Sequence, residues 1–152
     1  VVWAGRHRRD AWDRLASDYR GRIARHASIR DAPVKAKRGG EDLARRQEEG
    51  RALLAALPDP CWAIALDPRG EALDSESFSR ELTDLKTRWP HPIAFLIGSD
   101  LGLDPAVLER ADRRLAFGPM TLGHELARLV LYEQIYRAIS IERGIKYHRG
   151  LL

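Results

Sequence analysis

CWAIALDPRGEALDSESFSRELTDLKTRWPHPIAFLIG, residues 61–98, contains two unbroken apolar runs, CWAIAL (61–66) and IAFLIG (93–98), separated by an amphipathic stretch. Apolar runs without alternation are what strands buried on both faces of a parallel sheet require. Between them Phe78, Leu82, Leu85 and Trp89 recur at helical spacing, so the segment reads as a helix that carries the chain from one parallel strand to the next. The unit is β-α-β, and it predicts an α/β fold with a layered sheet.

The same texture extends outward. VVWAG at the start reads as a buried strand; it has no initiator Met, so the strand is expected to begin a few residues upstream. RDAWDRLASDYRGRI reads as a helix with Trp12, Leu15, Tyr19 and Ile23 on its apolar face and arginines opposite. HASIRDAPV is a weaker strand, expected to end at Pro33. KAKRGGEDLARRQEEGRALLAAL follows as a basic loop with a Gly39–Gly40 pair and then a highly charged helix, so poor order is expected over 35–57. After residue 98, Asp104 can cap and Pro105 can open a short helix, RRLAF (113–117) reads as a strand, and a long helix is expected over about 123–143. At 152 residues and 44% apolar composition, one domain over 1–152 is expected.

The last helix is unusual. Leu126, Ala127, Leu129, Val130, Leu131, Tyr132, Ile135, Tyr136, Ala138, Ile139 and Ile141 spread around nearly its whole circumference. A helix that is apolar all round is covered on more than one side. A homodimer is expected to supply the second cover, the alternative being the charged 41–57 helix folded back over it.

Composition excludes several classes. No run reaches the roughly 18 apolar residues of a membrane span and no charged-then-apolar leader opens the chain, so a cytoplasmic protein is expected. Cys61 is the only cysteine, which rules out an intrachain disulfide; its apolar neighbours predict a packing role. There is no Walker lysine motif, no G-x-G-x-x-G, no serine elbow and no Cys/His spacing suited to a metal. The formal charge of +4 is uneven: residues 1–60 carry 14 Lys and Arg against 9 Asp and Glu, and the rest is nearly balanced. A basic first half points to a phosphate-rich partner.

Three expected strand ends, ALDPRG, IGSDLGLDP and LAFGPMTLGHE, fall on one edge of the sheet. Ligands of open α/β sheets bind outside the carboxyl ends of the strands, so a site is sought there, where Gly98, Gly102 and Gly118 let a backbone turn or a ligand approach. His124 can cap the last helix or touch such a ligand. Asp67 can serve a turn or bind a ribose hydroxyl.

LIGSDLGLDP (96–105), then LAFGPMTLGHELARLVLYEQIYRAISIERGIKYHR (115–149), resembles the RlmH family of SPOUT-class RNA methyltransferases. ALDPRG and the KAKRG loop fall where that family has comparable segments, and T-L-x-H, L-Y-E-Q-I-Y-R-A and the terminal Y-H-R occur in order. The resemblance implies an α/β parallel sheet sandwiched by helices with a C-terminal deep trefoil knot, where patterning alone gives an unknotted doubly wound sheet. It also implies a homodimer that uses S-adenosylmethionine to methylate N3 of a pseudouridine in helix 69 of 23S rRNA, on the assembled 70S ribosome, with no metal.

By matching positions, the methyl-donor pocket implied is Leu66, Gly98, Phe117, Gly118, Pro119, Met120, Thr121 and Leu122. Tyr147, His148 and Arg149 match the family's substrate-facing tail, with Arg149 and His148 stabilising negative charge on the base, or His148 taking its proton, and Tyr147 stacking on it. Arg20, Arg22 and Arg25, with Lys35, Lys37 and Arg38, are the residues expected along RNA phosphates. Where many relatives read G-G-P-E-G, this chain has Gly98, Ser99, Asp100, Leu101 and Gly102. Two alternatives stay open: a SPOUT-class methyltransferase of another RNA such as tRNA, and a ribosome-binding factor without catalysis, which the altered 99–101 loop makes conceivable.

Overall fold

The computed structural model describes residues 1–8, 10–35 and 39–149; the side chains of His148 and Arg149 lie outside the described set. The elements run β1 (Val2–Ala4), α1 (Ala11–Ala24), β2 (Ala32–Val34), α2 (Asp42–Ala55), β3 (Trp62–Ala72), α3 (Ser75–Arg88), β4 (Ile93–Ile97), α4 (Pro105–Arg110), β5 (Arg113–Ala116) and α5 (His124–Glu142), then a single 3-10 turn over Lys146–Arg149. All strand pairs are parallel and the order is β2-β1-β4-β3-β5. The β-α-β unit read from 61–98 is present, with β3 and β4 side by side in the register Ile64 opposite Phe95.

Alternation along the strands sorts side chains by size. Trp3, Ile64, Phe95, Ile97 and Leu115 point to the face covered by α1, α3 and α5, where they meet Ile23, Phe78, Leu82, Leu85, Leu131, Tyr132 and Ile135. The opposite face carries small residues, Ala4, Ala63, Ala65 and Ala94, with Val2 and Leu96, and there Leu53 of α2 and Val107 and Leu108 of α4 are seated. This division settles what does not cover α5. Helix α2 lies across the sheet from it, so the alternative in which the charged helix folds back over α5 is ruled out.

Three local expectations need correction. On α1 the buried residues are Ala16 and Ile23, while Trp12 is 39% and Leu15 48% exposed, so the buried face is rotated from the expected stripe. Pro33 lies inside β2 rather than ending it; β2 is an edge strand, where a missing N–H on the outer side costs no ladder bond. Strand β3 does not stop at Leu66 either. It bulges over 67–70 and resumes beside β5, with Leu66 and Glu71 both opposite Leu115. Gly70 is required in that bulge, because a Cβ there would lie 2.7 Å from the Arg114 carbonyl carbon.

Helix α2, expected within the poorly ordered stretch, is anchored through buried Glu49, Gly50 and Leu53. Gly50 permits the close approach: a Cβ would stand 2.7 Å from the Cβ of Asp104, whose carboxylate accepts the Ala106 N–H at the start of α4. Cys61 is buried as expected, and burial pushes its thiol up.

Candidate functional site

The loops after β4 and β5 are built around glycine for different reasons. At Gly98 the constraint is space: a Cβ would lie 2.6 Å from the Gly102 carbonyl oxygen and 2.7 Å from its carbon. The 98–102 loop folds on itself there, with the Gly102 N–H donating to the Ser99 carbonyl at 3.1 Å and the Leu101 N–H to Ser99 Oγ at 3.3 Å. Gly102 and Gly118 have open space above them and instead supply positive φ, 72° and 111°, which other residues rarely adopt. The Ser99 N–H, first after Gly98, donates to the buried carboxylate of Glu49 at 3.0 Å.

A cavity of about 390 Å³ opens at the carboxyl end of β5, lined by Leu73, Ser75, Phe78, Phe117, Gly118, Val130 and Gln134 among others. Two of the expected cofactor residues, Phe117 and Gly118, are on its wall. Leu66 is half-buried within β3 and Gly98 is buried, while Leu122 is half-buried and Pro119, Met120 and Thr121 are exposed, Met120 at 80%. A larger cavity, about 550 Å³, opens at the amino ends of the strands beside Ile29, Leu82, Phe95 and Ile139. None of the expected site residues borders it.

Asp67 is engaged locally. Arg69 donates to it from its backbone N–H, Nε and a terminal guanidinium nitrogen, all within 2.9 Å, and this fork holds the carboxyl below its usual range. His124 is the first residue of α5, whose N-cap is Gly123, and its ring stands 3.9 Å from the Glu125 carboxylate.

Beyond α5, Gly144 adopts φ 65° and the chain turns back, with the Ile145 N–H donating to the Ser140 carbonyl at 2.8 Å. That turn lays Tyr147 against α5 and α1. Its hydroxyl donates to Glu133 at 3.0 Å and lies 3.1 Å from the Tyr19 hydroxyl; its ring meets Tyr136 edge-on at 4.8 Å, and the Arg137 guanidinium lies 5.1 Å from the ring centre. Burial, then the hydrogen bonds with Tyr19 and Glu133, push this phenol well above its ordinary value, so Tyr147 is neutral at physiological pH and no base. Val130 and Gln134 line the cavity one turn apart on α5, while Glu133, Tyr136 and Arg137 hold the tail on the adjacent stripe. One helix therefore carries both features.

Among the expected RNA-contacting residues, Arg20 is paired with buried Asp31 at 3.1 Å and Arg22 with Asp18 at 2.8 Å, while Arg25 and Lys35 are exposed. Lys37 and Arg38 lie outside the described residues. Among the described residues, no cluster of three or more His, Cys, Asp or Glu is placed to hold a metal ion, and no helix is long and apolar enough to cross a membrane.

Sequence reading missed a charged cluster under the start of α5. Arg128 is only 1% exposed; its guanidinium lies 3.8 Å from the centre of the Trp3 ring and pairs with Asp13, with Glu125 at 3.3 Å and with Asp31 at 3.5 Å. The available signal was an arginine among the apolar residues that surround most of the helix.

The sequence matches the family described as "Predicted SPOUT methyltransferase" over residues 1–148. It is 40% identical over 154 aligned positions to the ribosomal RNA large subunit methyltransferase H of Nitratidesulfovibrio vulgaris, covering 97% of this chain and 96% of that one. The chain belongs to the RlmH family of SPOUT methyltransferases. The Levilactobacillus brevis protein of the same name is 40% identical over 139 positions, 88% of this chain and 87% of that one. A solved SpoU methyltransferase, AviRb from Streptomyces viridochromogenes in complex with AdoMet, superposes with a TM-score of 0.43 at 16% identity, over 90% of this chain and 56% of that one, too loosely to bear on function.

Proposed function

We propose that this chain is a ribosomal RNA methyltransferase that uses S-adenosylmethionine to modify N3 of a pseudouridine in helix 69 of 23S rRNA on the assembled 70S ribosome. The observation that carries the reading is near full-length similarity to relatives named ribosomal RNA large subunit methyltransferase H. A cytoplasmic location and the C-terminal knot implied by the resemblance belong to the same proposal. So does a homodimer: α1, α5 and the loop entering α5 carry Trp12, Leu15, Met120 and Leu126, four large apolar side chains left exposed.

The methyl donor, when bound, supplies an electrophilic methyl group on sulfur. The residues that would hold it are Leu66, Gly98, Phe117, Gly118, Pro119, Met120, Thr121 and Leu122. They suit such a molecule in that Gly98 leaves no room for a side chain of its own, while the space above Gly102 and Gly118 is open and an apolar cavity adjoins Phe117. An incoming Cβ at Gly98 must push the Gly102 carbonyl aside. Gly98→Ala is therefore expected to weaken S-adenosylmethionine binding at least about tenfold, ~1.4 kcal/mol, with little change in the circular dichroism of the sheet. Calorimetry reads the affinity, and an unchanged value removes the 98–102 loop from the pocket.

N3 of a neutral pseudouridine has no free lone pair until its proton passes to solvent water or to His148. Arg149 and His148 stabilise the negative charge that then develops on the base. Tyr147, its hydroxyl committed to Glu133 and Tyr19, serves to hold this tail in place rather than to stack freely.

Docking would draw on Arg25, Lys35, Lys37 and Arg38, since Arg20 and Arg22 already face carboxylates. Four phosphate contacts give a log–log dependence of binding on salt with slope roughly −3. The test is methylation of purified 70S ribosomes beside free 23S RNA and tRNA, with the modified nucleotide mapped. One modified nucleotide in helix 69, formed only on 70S particles and with steeply salt-dependent binding, is expected. Modification of tRNA, or a binding curve flat in salt, overturns the substrate or the docking surface respectively.

A further inference from the structure

We infer that Glu49 is a positioning residue for the cofactor pocket: from the far side of the sheet edge, its buried carboxylate holds the 98–102 loop in shape through the Ser99 N–H. This rests on the reading of that loop as part of the methyl-donor pocket.

Glu49 is 4% exposed on a helix whose other acidic and basic residues face outward or lie half-exposed. A carboxylate is costly to bury unless hydrogen bonds compensate it. Here its Oε1 accepts the Ser99 N–H at 3.0 Å, a charge-assisted bond of about twice the strength of a neutral one. Ser99 is the hub of the loop. Its carbonyl accepts from Gly102 and its hydroxyl from Leu101, so whatever fixes Ser99 fixes the turn that packs Gly102 against Gly98.

The neighbouring residue adds a second restraint. Gly50 lets the α2 backbone close onto Asp104, where any larger residue would collide with the aspartate Cβ at 2.7 Å. Helix α2 thus touches the segment at Ser99, near its start, and at Asp104, where α4 begins. A glycine in mid-helix is less favourable than alanine, and this approach accounts for it. The altered residues Ser99, Asp100 and Leu101 fit the same account, because Glu49 binds a backbone N–H that every residue except proline supplies.

The test compares Glu49→Met, which removes the acceptor at similar volume, with Glu49→Gln, which keeps an oxygen for the Ser99 N–H, and Glu49→Asp, which withdraws the carboxylate by one methylene. Leu53→Ala, which loosens the same helix without touching the loop, is the control for a merely structural role. Two readouts are taken on folded protein: S-adenosylmethionine affinity by calorimetry and exchange of the Ser99 amide by NMR.

The expected result is a loss of about tenfold or more in affinity and faster Ser99 exchange for Glu49→Met. A smaller loss is expected for Glu49→Asp, near-normal affinity for Glu49→Gln, and lowered thermal stability with unchanged affinity for Leu53→Ala. If Glu49→Met does not fold, the contrast between the Asp and Gln variants carries the comparison. Equal affinity and equal Ser99 protection across all three Glu49 variants overturn the inference, as does an affinity loss in Leu53→Ala as large as in Glu49→Met. Faster Ser99 exchange with unchanged affinity, together with an unaffected Gly98→Ala protein, instead places the failure in the reading of the loop as a cofactor loop.

Discussion

Replacing Arg128 with methionine is expected to destabilise the protein by about 3–5 kcal/mol, the cost of breaking a buried ion-pair cluster by removing its most buried cation. Arg128 pairs with Asp13, Glu125 and Asp31, the last shared with Arg20, and the Asp31 side chain is nearly as buried as that of the arginine. Methionine matches the length and fills the space over Trp3, so the loss isolates charge from packing. Chemical denaturation measures it. The pH dependence supplies an independent signature.

Burial alone would raise the Asp13 carboxyl, but hydrogen bonds from Arg128, the Arg8 backbone N–H and His7 outweigh it and hold the group at about 2. A folded-state value below the unfolded one contributes stability above the unfolded value, about 3.9, and loses it as pH falls toward 2. In the methionine variant the Arg8 and His7 hydrogen bonds remain but that of Arg128 is gone, so the carboxyl rises toward its ordinary value and less stability is lost over the same range. The stability gap between the two proteins should narrow between about pH 4 and pH 2. A gap constant across that range would show that Arg128 contributes packing alone.

The cluster also marks where sequence reading stopped. Strands β3 and β4 and helix α3 were legible because their signals are intrinsic: continuous apolar runs for the strands, and Phe78, Leu82 and Leu85 one helical turn apart, all three buried. The continuation of β3 through Asp-Pro-Arg-Gly-Glu-Ala was not, because polar residues with a proline and a glycine have the composition of a turn. What makes them strand is pairing with β5, a contact distant in sequence. Trp12 and Leu15 misled for the opposite reason: large apolar residues at helical spacing define a buried stripe only where another element covers them, and of the expected stripe only Ile23 is fully buried, joined by Ala16.

Arg128 and Glu49 share a further cause. Both are charged residues on helices, where the default is a solvated face, and only the three-dimensional fold brings Asp13 and Asp31 under one or Ser99 beside the other. For the candidate site, Gly98 and Gly118 were visible as glycines at expected strand ends. Their unlike reasons, a close carbonyl and a positive φ, are properties of coordinates. The role proposed for the tail comes from family resemblance, since a short Tyr-His-Arg run carries no periodicity. Its anchoring through Tyr147 depends on Glu133 and Tyr19, 14 and 128 residues away along the chain.

That anchoring bears on the second large effect. Arg149→Ala is expected to lower turnover on 70S ribosomes by about 10²–10³, the usual consequence of removing one donor from the site where negative charge develops. S-adenosylmethionine affinity should be unchanged, because the pocket proposed for it is built from 66, 98 and 117–122. His148→Ala should also lower turnover, and its pH profile divides the two roles open to it. If His148 takes the proton, the profile loses the limb that titrates near neutrality. If it stabilises charge beside Arg149, both limbs persist at reduced height, and His148→Gln, which can still donate a hydrogen bond, recovers part of the rate. The charge-stabilising role is the one proposed, with Tyr147 fixed by two hydroxyl contacts just before these two residues in the chain. Turnover undiminished in both alanine variants would remove the tail from the chemistry and leave Tyr147 as a clasp on α5 alone.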